Sequence, residues 1–217
     1  MPWPNPRFQI TYCDANTPCA DQSSDCDSNA STDVMTDKLT GLMWPRNGML
    51  AGSSNYYNSK NWYQAVDYAN NFTLCGFTDW GLPNVNELQS LINAESETDM
   101  WLGFNQGFTD VTRYYWSSTT DSLYTSLAHI VEMSNYPFSM EPCFIDKSRW
   151  CAMVVGCMGI NVWPVRSGLP GVIELPKTGQ KISYRAGDDG DLERGAAWPV
   201  PRFMDNQSQT VSQGLCG

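Results

Sequence analysis

Residues Thr36 to Trp44 read TDKLTGLMW, and three later stretches echo that combination of turn residues and tryptophan. They are Thr78-Asp79-Trp80-Gly81-Leu82-Pro83-Asn84, then Tyr115-Trp116-Ser117-Ser118-Thr119-Thr120, and last Val162-Trp163-Pro164-Val165-Arg166-Ser167-Gly168. Trp44, Trp80, Trp116 and Trp163 are read as core, because a buried indole removes a large apolar area from water. Asp79 and Arg166, polar within the same stretches, are expected to pair or to cap backbone near a sheet end. Between the stretches the period changes. Trp62, Ala65, Val66, Ala69 and Phe72 recur at helical steps and predict a helix over Asn61–Phe72, capped by Asn58 or Ser59. A second helix opens at Asn84, where Glu87 completes a capping-box pair, with Leu88, Leu91 and Ile92 as its buried face. Tyr114–Thr119, Ala128–Met133, Ala152–Cys157 and Asn161–Arg166 are rich in β-branched or aromatic residues and predict strands.

In this order and at these spacings the four stretches resemble the Lcl C-terminal, or DUF1566, family. Its pattern runs TGLMW, an amphipathic helix, DWRLP with a second helix, YWSST and a closing strand. The resemblance covers roughly residues 32–168. It implies an α+β fold of the C-type-lectin-like class, related to the fold of the formylglycine-generating enzymes. Two helices would pack on a twisted, mainly antiparallel sheet, with long loops and disulfide staples. It also implies an extracellular module.

The composition agrees with a surface protein. Only 17% of the 217 residues are charged, and the formal net charge of −10 disfavours nucleic acid and anionic membrane as partners. The longest apolar run, near Ala152–Ile160, is too short to span a bilayer. Cys13, Cys19, Cys26, Cys75, Cys143, Cys151, Cys157 and Cys216 have no zinc-type spacing, and the single histidine removes most mixed metal sites. They read as disulfides made in an oxidising compartment, with the pairing left open. The expected location is extracellular or cell-surface. Residues 1–6 carry neither a basic start nor an apolar stretch, so a signal peptide is expected outside this chain.

A repeat frames the sequence. Trp3-Pro4-Asn5-Pro6-Arg7-Phe8 returns as Trp198-Pro199-Val200-Pro201-Arg202-Phe203, five identities in six. More weakly, Thr36–Gly41 is echoed by Ser212–Gly217. The predicted organisation is an N-terminal arm and Cys-rich polar loop (1–31), the domain (32–168), a linker (169–195) and a segment (196–217) that opens a second repeat or serves as a docking arm. Trp3, Arg7, Phe8, Trp198, Arg202 and Phe203 are therefore candidate assembly contacts, with self as the expected partner.

Other candidates are weaker. Asp21, Asp25 and Asp27 offer alternate oxygens such as calcium takes, but the EF-hand glycine and glutamate are missing, and no cofactor is expected. Leu175-Pro176-Lys177-Thr178-Gly179 matches an LPxTG sorting signal without the apolar segment and basic tail that follow a true one. Carboxylate pairs such as Glu95 with Glu97, or Asp188 with Asp189, read as exposed acids. His129, flanked by apolar residues, reads as structural, and no catalytic residue is assigned. Tyr56, Tyr57, Trp101, Phe104, Tyr124, Tyr136 and Phe138 lie in or beside loops, where flat faces with polar tips would contact a glycan or a surface protein. The expected function is non-enzymatic: adhesion or assembly, head-to-tail through the repeated ends, or else monomeric ligand binding within a tandem-repeat surface protein.

Overall fold

The computed structural model describes residues 4–13, 31–50, 59–133, 144–149, 151–152 and 158–202. A first antiparallel sheet runs β1 (Phe8–Thr11), β2 (Val34–Asp37), β3 (Leu42–Pro45), and is closed by the short β9 (Arg166–Ser167). The TDKLTG turn between β2 and β3 is built on Asp37. Its carboxylate accepts from the Leu39 N–H at 2.9 Å and the Thr40 hydroxyl at 2.8 Å. Gly41 takes φ +75°, and a Cβ there would lie 2.0 Å from the Leu169 carbonyl oxygen.

The same carboxylate receives Arg7 through Nε at 2.9 Å and Nη2 at 2.6 Å, and both side chains are buried. Phe8 packs edge-on against Phe108 and Trp101, with centroids 5.0 and 6.1 Å apart. The stretch expected as an arm outside the domain thus supplies the domain's edge strand at residues 8–11.

Helix α1 (Trp62–Asn70) and helix α2 (Val85–Gln89) both open on capping boxes, Asn61 with Gln64 and Asn84 with Glu87. The first cap is Asn61, not Asn58 or Ser59. Leu88 and Leu91 are buried as expected, but Ile92 is 36% exposed. Arg7 Nη2 donates to the Ser90 carbonyl at 2.7 Å. That carbonyl would otherwise accept from Ala94 in a longer helix, and α2 stops at Gln89.

The second sheet, β4 (Tyr114–Thr120), β5 (Leu127–Glu132) and β6 (Phe144–Asp146), is antiparallel and covered on both faces. Tyr114, Trp116, Ala128 and Ile130 meet α1 through Trp62, Ala65, Val66 and Ala69. Tyr115, Val131 and Met133 face a second core with Trp44, Leu88, Phe108 and Trp163. All the motif tryptophans are buried, and Trp163 donates to the Pro45 carbonyl at 2.9 Å.

Asn161–Arg166, expected as a strand, instead runs extended between elements. Asn161 pairs with β4 at Tyr115, Val165 exchanges hydrogen bonds with Gly81, and only then does β9 begin. Arg166 meets Asp79 at 2.7 and 3.0 Å, the pairing the sequence suggested. A two-stranded ribbon joins β7 (Cys151–Ala152) and β8 (Met158–Gly159). Cys13 and Cys75 form a disulfide between the end of β1 and the turn after α1.

Trp101 and Phe104, expected in or beside loops, lie in a π-type turn at Trp101–Asn105 that follows a short helix, α3 (Thr98–Met100). Leu102 and Phe108 point into the core beneath it.

Asp37→Ala is expected to lower stability by about 3–5 kcal/mol in urea denaturation, because it leaves the Arg7 guanidinium buried without its carboxylate. Arg7→Met combined with Asp37→Asn, which removes both charges and keeps an acceptor for the turn, should cost less.

Candidate functional site

The site grows out of the polar half of β4. Ser117, Ser118, Thr119 and Thr120 are all buried, yet β4 and β5 slip in register between Trp116 and Thr120. The irregularity releases that backbone from β5, so its groups need other partners. The Ser118 N–H donates to the Pro83 carbonyl at 2.7 Å, and Thr119 Oγ1 accepts from the Val85 N–H at 3.0 Å. The Trp62 indole donates to the Ser117 carbonyl, the Ser117 hydroxyl donates to the His129 carbonyl, and the Thr119 N–H donates to Ser117 Oγ. Further partners come from the C-terminal part of the chain. Thr119 Oγ1 donates to Asp189 at 2.7 Å, and the Thr120 N–H donates to the Gln180 side-chain carbonyl at 2.7 Å.

Residues 169–195, expected as a linker, therefore lie across the domain as a strap. Leu175 packs on the second core, and Pro176 pairs with Ala196. Asp188 caps the one-turn helix α4 (Asp189–Leu192) and also accepts from the Tyr184 N–H at 2.7 Å. Arg185 forms an ion pair with Asp67 of α1, and Asn86 of α2 donates to the Pro176 carbonyl at 2.8 Å. The Lys147 ammonium lies between the rings of Trp62 and Tyr184, 4.2 and 4.1 Å from their centroids. Burial pushes it down to about 8, against the pull of Asp188.

Asp188 and Asp189, expected to be exposed, are buried because their oxygens serve as acceptors for this strap. Each part of the LPKTGQ stretch has a structural partner. Lys177 pairs with Glu193, Thr178 donates to Asp189, and Gly179 turns at φ +95°.

Between the strap and the β4–β5 sheet lies a cleft of about 590 Å³. Its walls include Asn86, Thr120, His129, Gln180, Tyr184 and Trp198. His129 is half-buried, and burial pushes its pKa below the usual imidazole value while Asp121 and Asp189 pull the other way. The ring is thus neutral at pH 7, with one donor and one acceptor nitrogen. Asp189 is pushed above the usual carboxylate range by burial, opposed by the hydroxyls of Thr178 and Thr119. Glu87, beneath the strap, is raised to about 7 by burial, with Arg194 and its own capping contact at Asn84 opposing.

The candidates read from sequence do not converge on one site. Arg7, Phe8 and Trp101 are packed together beside β1. Phe104 and Tyr124 are exposed, at 81% and 63%. Trp198 lines the cleft and donates to the Lys177 carbonyl at 2.7 Å, and the Arg202 guanidinium lies over its ring. Trp3, Asp21, Asp25, Asp27, Tyr56, Tyr57, Tyr136, Phe138 and Phe203 lie outside the described residues, as do Cys19, Cys26, Cys143, Cys157 and Cys216. For Cys151 only the backbone is described. Asn86, Thr120, Gln180 and Tyr184 were not candidates. The available signal was the LPKTGQ stretch, whose polar side chains had no local partner in the sequence.

A family model described as the Lcl C-terminal domain matches residues 33–154, more than half of the chain, and ends before the strap. No curated protein and no solved structure matches. Among the described residues no helix is long and apolar enough to cross a membrane.

The raised Glu87 pKa has a definite sign. The folded state holds the proton more tightly than the unfolded chain, so this group's stabilising contribution is full below about pH 4.5 and is lost as pH rises through about 7. Glu87→Gln keeps an acceptor for the Asn84 N–H and removes the titration. Urea melts at pH 5 and pH 8 should show a smaller stability difference for the variant than for the parent, with the variant the more stable at pH 8.

Proposed function

The chain belongs to the Lcl C-terminal domain family, and we propose that it works as a non-enzymatic extracellular module of adhesion or assembly, joined head-to-tail to other copies through its repeated ends. We read its fold as a C-type-lectin-like variant, and the Cys13–Cys75 disulfide supports an oxidising compartment.

The observation that carries the assembly reading is the role of the first Trp-Pro-x-Pro-Arg-Phe copy. Arg7 and Phe8 anchor β1 on Asp37 and on the Phe108–Trp101 pair. The second copy begins at Trp198, where the strap ends, and Val200 within it is 97% exposed. An identical Arg-Phe pair suits the same receptor. In the weaker echo, Gln213 stands where Asp37 stands, and docking of Arg202 on Asp37 of another copy would take the place of that copy's own Arg7. Among the described strands β1 is also an edge, a position at which a neighbouring chain can add or exchange a strand.

The second reading, a ligand-binding domain within a tandem-repeat surface protein, is favoured by the cleft under the strap.

Light scattering and negative-stain microscopy on the full chain, on a deletion of Pro199–Gly217 and on Arg202→Ala test the assembly reading. The deletion leaves Trp198 and the Pro176–Ala196 pairing in place. Filaments or large assemblies are expected for the full chain alone, with Arg202→Ala needing about tenfold more protein, as for the loss of one charge-assisted contact. A monodisperse monomer for the full chain would overturn it.

A further inference from the structure

We propose that the Thr120 hydroxyl and the Gln180 side-chain amide join in an ester bond that fixes the strap to β4, with loss of ammonia. The step is a single self-modification of the folded chain, so it goes beyond the assembly reading and does not rest on it.

The first observation is how the acyl group is held. The Thr120 N–H donates to Gln180 Oε1 at 2.7 Å, and Gln180 Nε2 donates to the Ile182 carbonyl at 2.9 Å. The Gln180 N–H donates to Thr178 Oγ1 at 3.2 Å, and the Thr178 hydroxyl itself donates to Asp189. The amide is thus fixed at its tip and at its root. Attack on its carbon would move negative charge onto Oε1, where the Thr120 N–H already serves as an oxyanion donor.

The second observation is the nucleophile. Thr120 is 6% exposed, and its Oγ1 is buried with no hydrogen-bond partner. A buried hydroxyl left over by the fold is costly. Only the Cα–Cβ stem separates it from the N–H that binds Oε1, so it is held close to the amide group. A nucleophile whose own N–H binds the acyl oxygen is the arrangement by which serine hydrolases attack a carbonyl. The hydroxyls around it are engaged: Ser117 donates to the His129 carbonyl, and Thr119 and Thr178 donate to Asp189.

The third observation is a path for the proton and the leaving group. His129 lines the same cleft as Thr120 and Gln180, and its ring nitrogens have no hydrogen-bond partner among the described residues. Burial disfavours the charged ring, so a neutral imidazole is there to take a proton and return it. Oγ1 bonds to Cδ of Gln180 as its proton passes to His129. The Cδ–Nε2 bond then breaks, the nitrogen takes that proton, and ammonia leaves through the cleft. No oxidant and no water is consumed. Burial of Oγ1 keeps water from the ester once it has formed.

Intact mass spectrometry of the full chain, sampled over time after synthesis, tests this. The expected mature mass is that of the sequence with its disulfides, less one ammonia. Digestion after reduction should give a peptide pair joined through Thr120 and Gln180, and hydroxylamine, which cleaves esters, should separate it. Thr120→Val should retain the ammonia, and Thr120→Ser, which keeps a nucleophile, should still lose it. His129→Phe should lose it about a hundredfold more slowly, as for removal of a general base.

A mature parent of full mass overturns the proposal. So does an ammonia loss that persists in Thr120→Val, since another amide would be its source. A joined pair that survives hydroxylamine would overturn the ester, and His129→Phe maturing at the parent's rate would overturn the role of that ring. None of these substitutions touches the terminal repeats, so the assembly measurement stands apart from every outcome.

Discussion

β4 is buried on both faces along its whole length, although its second half is Ser-Ser-Thr-Thr. Hydroxylated residues in that position demand partners, and the register slip at Trp116 to Thr120 takes some of the backbone away from the neighbouring strand. The rest of the structure answers that demand. The turn into α2 takes Ser118 and Thr119, and the strap supplies Asp189 and Gln180. The strap in turn is closed on itself by Asp188 and by the Pro176–Ala196 pairing, and it is clasped to α1 through Arg185.

The first sheet has a comparable hub in Asp37. One carboxylate organises the β2–β3 turn and holds Arg7, and through Arg7 it reaches the end of α2. Both hubs are acidic residues buried with several donors each. This is how a chain with few charged residues still depends on particular ones: Asp37, Asp188 and Asp189 are buried and each accepts hydrogen bonds that hold the fold. The same economy explains why LPKTGQ resembles a sorting signal only in letters. Its threonine, glycine and glutamine are fixed by contacts within the fold.

Much of the fold was legible in the sequence because it is local. The α1 stripe of Trp62, Ala65, Val66 and Ala69, the Asn84–Glu87 capping box and the buried motif tryptophans all follow from short-range pattern. What failed was long-range. Asp188 and Asp189 read as exposed acids because their partners lie far away along the chain or arise only once the strap turns back on itself. Trp101 and Phe104 read as loop residues because the turn that carries them buries Leu102 and Phe108 without helical periodicity. The cleft was illegible for the same reason, since Thr120, His129 and Gln180 meet only when the strap crosses the sheet. Trp198 was singled out for its repeat and not for the wall it forms.

The dependence of β4 on the strap is tested most directly by amide hydrogen exchange on the full chain. The amides of Thr120, Lys177, Tyr184, Glu193 and Ala196 each donate to a group within the strap or between strap and sheet. They should exchange as slowly as the Trp116 and Asn161 amides of the central core, opening only when the whole domain does. Rapid exchange across residues 175–196, with Trp116 still protected, would contradict the account: the strap would then be a tether lying beside a domain that is complete without it.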